Sequence, residues 1–193
     1  VEHTAHKIGG RAKAMVVTSS RLHAVRYKLA FERYIAANGY TDVRPLVAFS
    51  GTVKDPETGV EYTEPGMNPD VVTGKPISES QLPDRFDSPD YQVLLVANKY
   101  QTGYDQPLLH TMYVDKRLDG VQAVQTLSRL NRKIPGKSEP SILDFVNPPE
   151  DIYRAFKPYY DATSLQEASD PSKLETLKHE LDQAQVYFWS EVE

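Results

Sequence analysis

The chain has 193 residues, of which 39% are hydrophobic and 25% charged, with a formal net charge of -5 and no cysteine. This is ordinary globular material, long enough for one sizeable core, and the missing thiols exclude a disulfide framework, a cysteine nucleophile and a cysteine-based zinc site. No apolar stretch approaches the roughly 18 residues that span a bilayer, and the polar start VEHTAHKIGGR lacks a signal-peptide core, so no membrane partner and a cytoplasmic location are expected.

In chain order, Ala14–Val17 reads as a short apolar strand, and Leu22, Val25 and Leu29 mark the buried face of a helix that stops at Asn38-Gly39. Pro45–Phe49 reads as the next strand. The following segment, 51–76, is rich in Gly, Pro and acids and has room for a small hairpin; without a clear period, it is expected to be mobile. A helix is expected over Ser78–Phe86, then a strand over Tyr91–Ala97 opening onto the loop Thr102-Gly103-Tyr104-Asp105. A strand at Leu109–Val114, a helix from about Gly120 and a strand at Ser141–Phe145 follow, which makes a parallel α/β pattern. Beyond it, Asp151–Tyr160 should be a short helix on the sheet. Pro171–Val192 should be a longer one, capped by Asp170 and carrying Leu174, Leu177, Leu181 and the Val186–Trp189 cluster on one stripe. That stripe either folds back on the domain or docks on something outside this chain. The expected division is a main lobe over 1–163 and a helical extension over 164–193 leading to a neighbouring domain.

The net charge hides a segregation along the chain. Residues 1–33 carry seven Lys/Arg against two acids and 115–137 carry six against two, whereas 50–90 and 144–193 are strongly acidic. A local phosphate-facing surface on an acidic chain is therefore possible; solvated charge spread over the fold explains the amino-terminal cluster equally well.

Two segments carry chemistry. Loops at the carboxyl ends of parallel strands line ligand crevices, and Gly103 and Asp105 lie in such a loop. In QTLSRLNRK, Gln125, Arg129 and Arg132 stand at i, i+4 and i+7, within roughly 60° of one another on a continuous helix. Ala123, Val124, Leu127 and Leu130 take the other side. Two guanidiniums on one face suit a phosphate-rich ligand, because they stay charged and bond phosphate bidentately. Arginines late in a helix also complement its dipole and open carbonyls, and Asp105 before Gln106-Pro107 is a natural turn former.

The succession AMVVTSSR, VLLVANKYQTGYDQP and QTLSRLNRK resembles motifs IV, V and VI of superfamily 2 helicases and translocases. TGYDQP and QTLSRLNRK are most similar to the motor (R) subunit of type I restriction enzymes. The likeness runs from about Ala14 to about Phe145. It implies an α/β, RecA-like second lobe, a parallel sheet flanked by helices, with Arg132 as arginine finger, Arg129 as a second γ-phosphate contact and Gln125 as a polar cleft residue. It further implies Gly103 and Asp105 on the nucleotide side, and DNA-backbone contacts from Thr18, Ser19, Ser20, Arg21 and Thr102. Ser20 is equally placed to cap the following helix.

A translocase also needs a phosphate-binding loop of the form GxxxxGK[ST] and an acidic magnesium motif. This chain has neither: NRKIPGKS has Asn131 where the first glycine belongs. The resemblance therefore implies that ATP and Mg2+ are held mainly by a first RecA-like lobe absent from this chain, that this piece alone is inactive, and that no metal site lies within it. The implied partners are double-stranded DNA, that first lobe, and modification and specificity subunits. Two other readings stay open, the second lobe of another superfamily 2 helicase and a non-catalytic module for subunit assembly.

Overall fold

The computed structural model describes residues 6–100 and 103–167, with side chains to residue 160. Its strands are β1 (Lys13–Thr18), β2 (Pro45–Ala48), β3 (Thr52–Lys54), β4 (Glu61–Thr63), β5 (Val93–Val96), β6 (Leu109–Asp115) and β7 (Ser141–Asp144). The helices are α1 (Arg21–Asn38), α2 (Glu64–Met67), α3 (Leu82–Asp87), α4 (Gly120–Leu127) and α5 (Pro149–Glu167). Five strands pair in the order β2-β5-β1-β6-β7, every pair parallel, while β3 and β4 form a separate antiparallel hairpin.

The central strands are continuous apolar runs because helices and loops cover both faces of a parallel sheet. All four residues of β5 are buried, as are those of β1 and β2. Ala24 and Val25 of α1 pack with Ala14, Val16, Val47, Val93 and Leu95 in one core cluster. The ends of α1 are set locally. Ser20 accepts a hydrogen bond from the His23 amide, and Gly39 closes the helix at φ 67°, where a side chain would strain the backbone.

The segment expected to be mobile is instead built into the core. Val53 and Met67 join the same cluster. The buried Asn68 amide pairs with the outer edge of β2, accepting from the Val47 N–H at 2.9 Å and donating to the Val47 carbonyl at 2.7 Å. Glu64 accepts from the Phe49 N–H at 2.7 Å. β2 is an edge strand, and its open backbone groups, which would otherwise invite foreign pairing, are what this segment satisfies. Two helices also differ from expectation. The one expected from Ser78 begins at Leu82, with Pro83 in its first turn, where a missing N–H costs nothing. The one expected over Asp151–Tyr160 runs from Pro149 to Glu167.

The chain divides into two compact units, Val1–Ala155 and Phe156–Glu193, the division falling within α5. The helix expected over Pro171–Val192 lies outside the described residues. Among the described residues, no helix is long and apolar enough to cross a membrane.

Candidate functional site

The arginine-bearing segment is not one helix. α4 ends at Leu127, Ser128–Asn131 tightens into a 3-10 turn, and Arg132 is extended at φ -67°, ψ 124°. Pro135 limits how far the segment could stay helical, since it has no N–H to give the Asn131 carbonyl and pushes the preceding Ile134 out of the helical region, but the turn already tightens at Ser128. The single stripe expected from Gln125, Arg129 and Arg132 is therefore broken. Gln125 is exposed on α4, Arg129 is half-buried on the turn, and Arg132 is exposed beyond it. Of the expected apolar side, Ala123, Leu127 and Leu130 are buried and Val124 is half-buried.

Both arginines nevertheless meet the Gly103–Asp105 loop. Arg129 donates through Nη1 to the Tyr104 carbonyl, and Arg132 Nε lies 2.9 Å from Asp105 Oδ1. Burial presses the Arg129 pKa below its ordinary value, and the neighbouring charge of Arg132 pushes the same way. An anion seated between the two guanidiniums would relieve that repulsion. Gly103 has φ 72°, so the loop depends on a residue without Cβ although the space around it is open. Tyr104 packs against Tyr100 with ring centroids 4.7 Å apart, and burial raises its pKa. It is a packing residue.

Just past the end of β5 stands a charge cluster that sequence reading missed. Lys99 Nζ lies 2.9 Å from Glu64 Oε1, whose side chain is buried, and 2.8 Å from Glu79 Oε2. Burial raises the Glu64 pKa despite Lys99, while burial of Lys99 is outweighed by Glu79 and Glu64, so its pKa is raised. The pair welds the 51–76 segment to the start of the β5–β6 connection. Its only sequence signal was an acid and a lysine 35 residues apart, which no spacing rule connects.

At the carboxyl end of β1 the expected DNA contacts separate. Thr18 is fully buried and its hydroxyl faces the Val96 carbonyl at 3.0 Å and the Ser20 carbonyl at 3.1 Å. It braces the strand end and leaves no surface for a phosphate, which corrects the expectation for that residue. Ser19 is exposed and hydrogen-bonds His23 Nδ1, Ser20 caps α1, and Arg21 reaches the Ser50 carbonyl at 2.8 Å from an exposed position. Thr102 lies outside the described residues.

Residues 75–147 match the family model described as type I restriction enzyme subunit R domain 3. This chain is similar to the R subunits of type I restriction enzymes. It is 27% identical over 179 residues to the putative type I restriction enzyme MjaIXP endonuclease subunit of Methanocaldococcus jannaschii, covering 91% of this chain and 16% of that one. The MjaVIIP endonuclease subunit of the same organism is 31% identical over 150 residues, 69% of this chain and 13% of the relative. The HindI endonuclease subunit of Haemophilus influenzae is 28% identical over 157 residues, 79% of this chain and 14% of the relative. The chain thus spans less than a fifth of the length of these relatives. Among solved structures, the C-terminal part of the Fun30 ATPase domain aligns with a TM-score of 0.42 at 13% identity, over 75% of this chain and 39% of that one.

Proposed function

We propose that this R-subunit-like domain is the second motor lobe of an ATP-dependent DNA translocase of the type I restriction class, contributing arginines to an ATP site shared with a first lobe. One observation carries the reading: Arg129 and Arg132, from one segment, converge on the Tyr104-Asp105 loop of another. The Arg132–Asp105 pair is well exposed on both sides. Exposed ion pairs are worth only about 0 to 1 kcal/mol, so a triphosphate entering from a facing lobe can take Arg132 from Asp105 at little cost. Arg129, tied to a backbone carbonyl, moves less and acts as the fixed charge.

ATP and Mg2+ would be held mainly by the first lobe, where the metal would neutralise phosphate charge. Lobe closure would bring Arg132 and Arg129 to the γ-phosphate and stabilise the charge that develops there. DNA would cross the carboxyl edge of the sheet, touched through its backbone by Ser19, Ser20 and Arg21, contacts that position without reading sequence.

The test is DNA-stimulated ATPase activity of this chain alone, of the full-length protein, and of the full-length protein carrying Arg132→Ala. An arginine finger is worth on the order of 10³ to 10⁵ in rate, so the variant should lose nearly all turnover. Retention of more than about a tenth of the rate, far above that range, would sink the assignment. Hydrolysis by this chain alone would show a complete site within it.

A further inference from the structure

Lys116 and Asn98 stand at the carboxyl ends of β6 and β5, the two neighbours of β1. Register puts them level with Ser19: Asp115 pairs Thr18 and Val96 pairs Val17, so Lys116 and Asn98 each reach the row that Ser19 ends. Lys116 Nζ donates to Asn98 Oδ1 at 2.7 Å. Strands β6 and β5 are separated by β1, a span of about 9 to 10 Å, so this hydrogen bond passes across the end of the central strand, beside Ser19. The lysine is thereby stretched over the middle of the sheet's carboxyl edge.

Its backbone is fixed on two sides. The buried Asn147 donates through Nδ2 to the Lys116 carbonyl at 2.8 Å and accepts the Leu118 N–H at 2.9 Å, itself held by Asp144. Immediately before Lys116, Asp115 accepts the Tyr27 hydroxyl of α1 at 2.8 Å. Partial burial depresses the Lys116 pKa, the direction that an incoming anion reverses. Asn98 and Ser19 are exposed, so the clasp opens to the outside.

We infer that Lys116, clasped across the end of β1 by Asn98, forms with Ser19 a binding point for one DNA backbone phosphate. This rests on the proposed DNA path over the same edge and names a residue that the motif likeness does not. Asn98 acts as a positioning residue: its amide oxygen holds the ammonium in place, and its NH2 group remains available to a phosphate oxygen.

The experiment is equilibrium binding of a fluorescent 30-base-pair duplex to the full-length protein across a salt series. Wild type is compared with Lys116→Gln, Lys116→Arg, Asn98→Ala and Arg21→Gln, all checked for unchanged melting. Each phosphate contact contributes about 0.9 to the slope of log K against log salt. Lys116→Gln is expected to reduce that slope by about one and weaken binding severalfold at low salt. Lys116→Arg should keep the slope, and Asn98→Ala should weaken binding less than Lys116→Gln with the slope retained. A wild-type slope for Lys116→Gln beside a reduced slope for Arg21→Gln would overturn the lysine site and leave the DNA path standing. Wild-type slopes for both would overturn the two together.

Discussion

Lys99→Met removes the cation that compensates Glu64. The carboxylate would remain buried, keeping the Phe49 N–H, just past β2, as a neutral donor. Breaking a buried pair by deleting one partner costs roughly 3 to 5 kcal/mol. Lys99 is itself partly open to solvent, at 17% side-chain exposure, and water can reach the vacated space, so about 2 to 3 kcal/mol is the fitting figure. For a chain of this size each kcal/mol moves Tm by about 2 to 4 °C, giving a drop of about 4 to 12 °C. The sign with pH follows from the carboxyl group. Its folded pKa is already raised by burial and rises further without Lys99, so its stability contribution is complete below the unfolded value and is lost as pH rises through the folded one. The deficit of the variant should therefore be largest near neutral pH and shrink toward pH 5. Urea denaturation of both proteins at the two pH values measures it, and Glu64→Gln in the Lys99→Met background should recover part of the loss. A cost below about 0.5 kcal/mol at neutral pH, within the range of an ordinary surface change, would refute the claim that this pair welds the insertion to the loop.

Lys13 is buried and held by the Ser88 and Tyr91 carbonyls at 2.8 and 2.7 Å, and desolvation lowers its pKa to about 8, against the partial pull of Asp87 and Asp90. The folded state thus binds fewer protons than the unfolded state between about pH 8 and 10.5; stability should rise with pH across that window, and urea titrations at pH 7.5 and 9.5 should show the rise flattened in Lys13→Met. Gly103→Ala should cost about 1 to 2 kcal/mol from the left-handed backbone alone, with Gly103→Asn cheaper; equal melting of wild type and the alanine variant would count against a fixed loop. Asp105→Asn in the full-length protein discriminates two roles. If Asp105 aims Arg132, kcat falls with KM for ATP unchanged, whereas the direct nucleotide contact implied by the motif likeness would raise KM.

What sequence could give was whatever its periodicity carries. The apolar runs at Ala14–Val17 and within Tyr91–Ala97 announce doubly covered parallel strands, and Ser20 and Asn38-Gly39 announce the ends of α1; the structure places each within a residue or two, the second strand at Val93–Val96. The arginine stripe failed because angular spacing means something only while the helix lasts, and this one ends at Leu127, before either arginine. Thr18 failed because a hydroxyl at a strand end serves a backbone carbonyl as readily as a ligand. The contacts that organise the site, Lys99 with Glu64 and Lys116 with Asn98, join residues 35 and 18 apart across strands whose order is not that of the chain. No local rule reaches them.

The same topology says why the two halves of the proposed site should act together. In a parallel sheet the chain leaves β5 at the carboxyl end and must enter β6 at the amino end, a height of about 13 Å for four residues. Asn98 and the Lys116 clasp stand just past the end of β5, while Tyr104 and Asp105, with their arginines, shortly precede Leu108, whose carbonyl accepts from the Lys13 N–H at the start of β1. Lys99, next to Asn98, is anchored through Glu64 to the end of β2. A phosphate drawing Lys116 from Asn98 would act on the residue next to Lys99, in the stretch of chain that leads to Asp105, the partner of Arg132. Severing the anchor by Lys99→Met should therefore weaken DNA stimulation of ATPase activity more than it weakens DNA binding, whereas an equal loss in both would make the connection a passive tether.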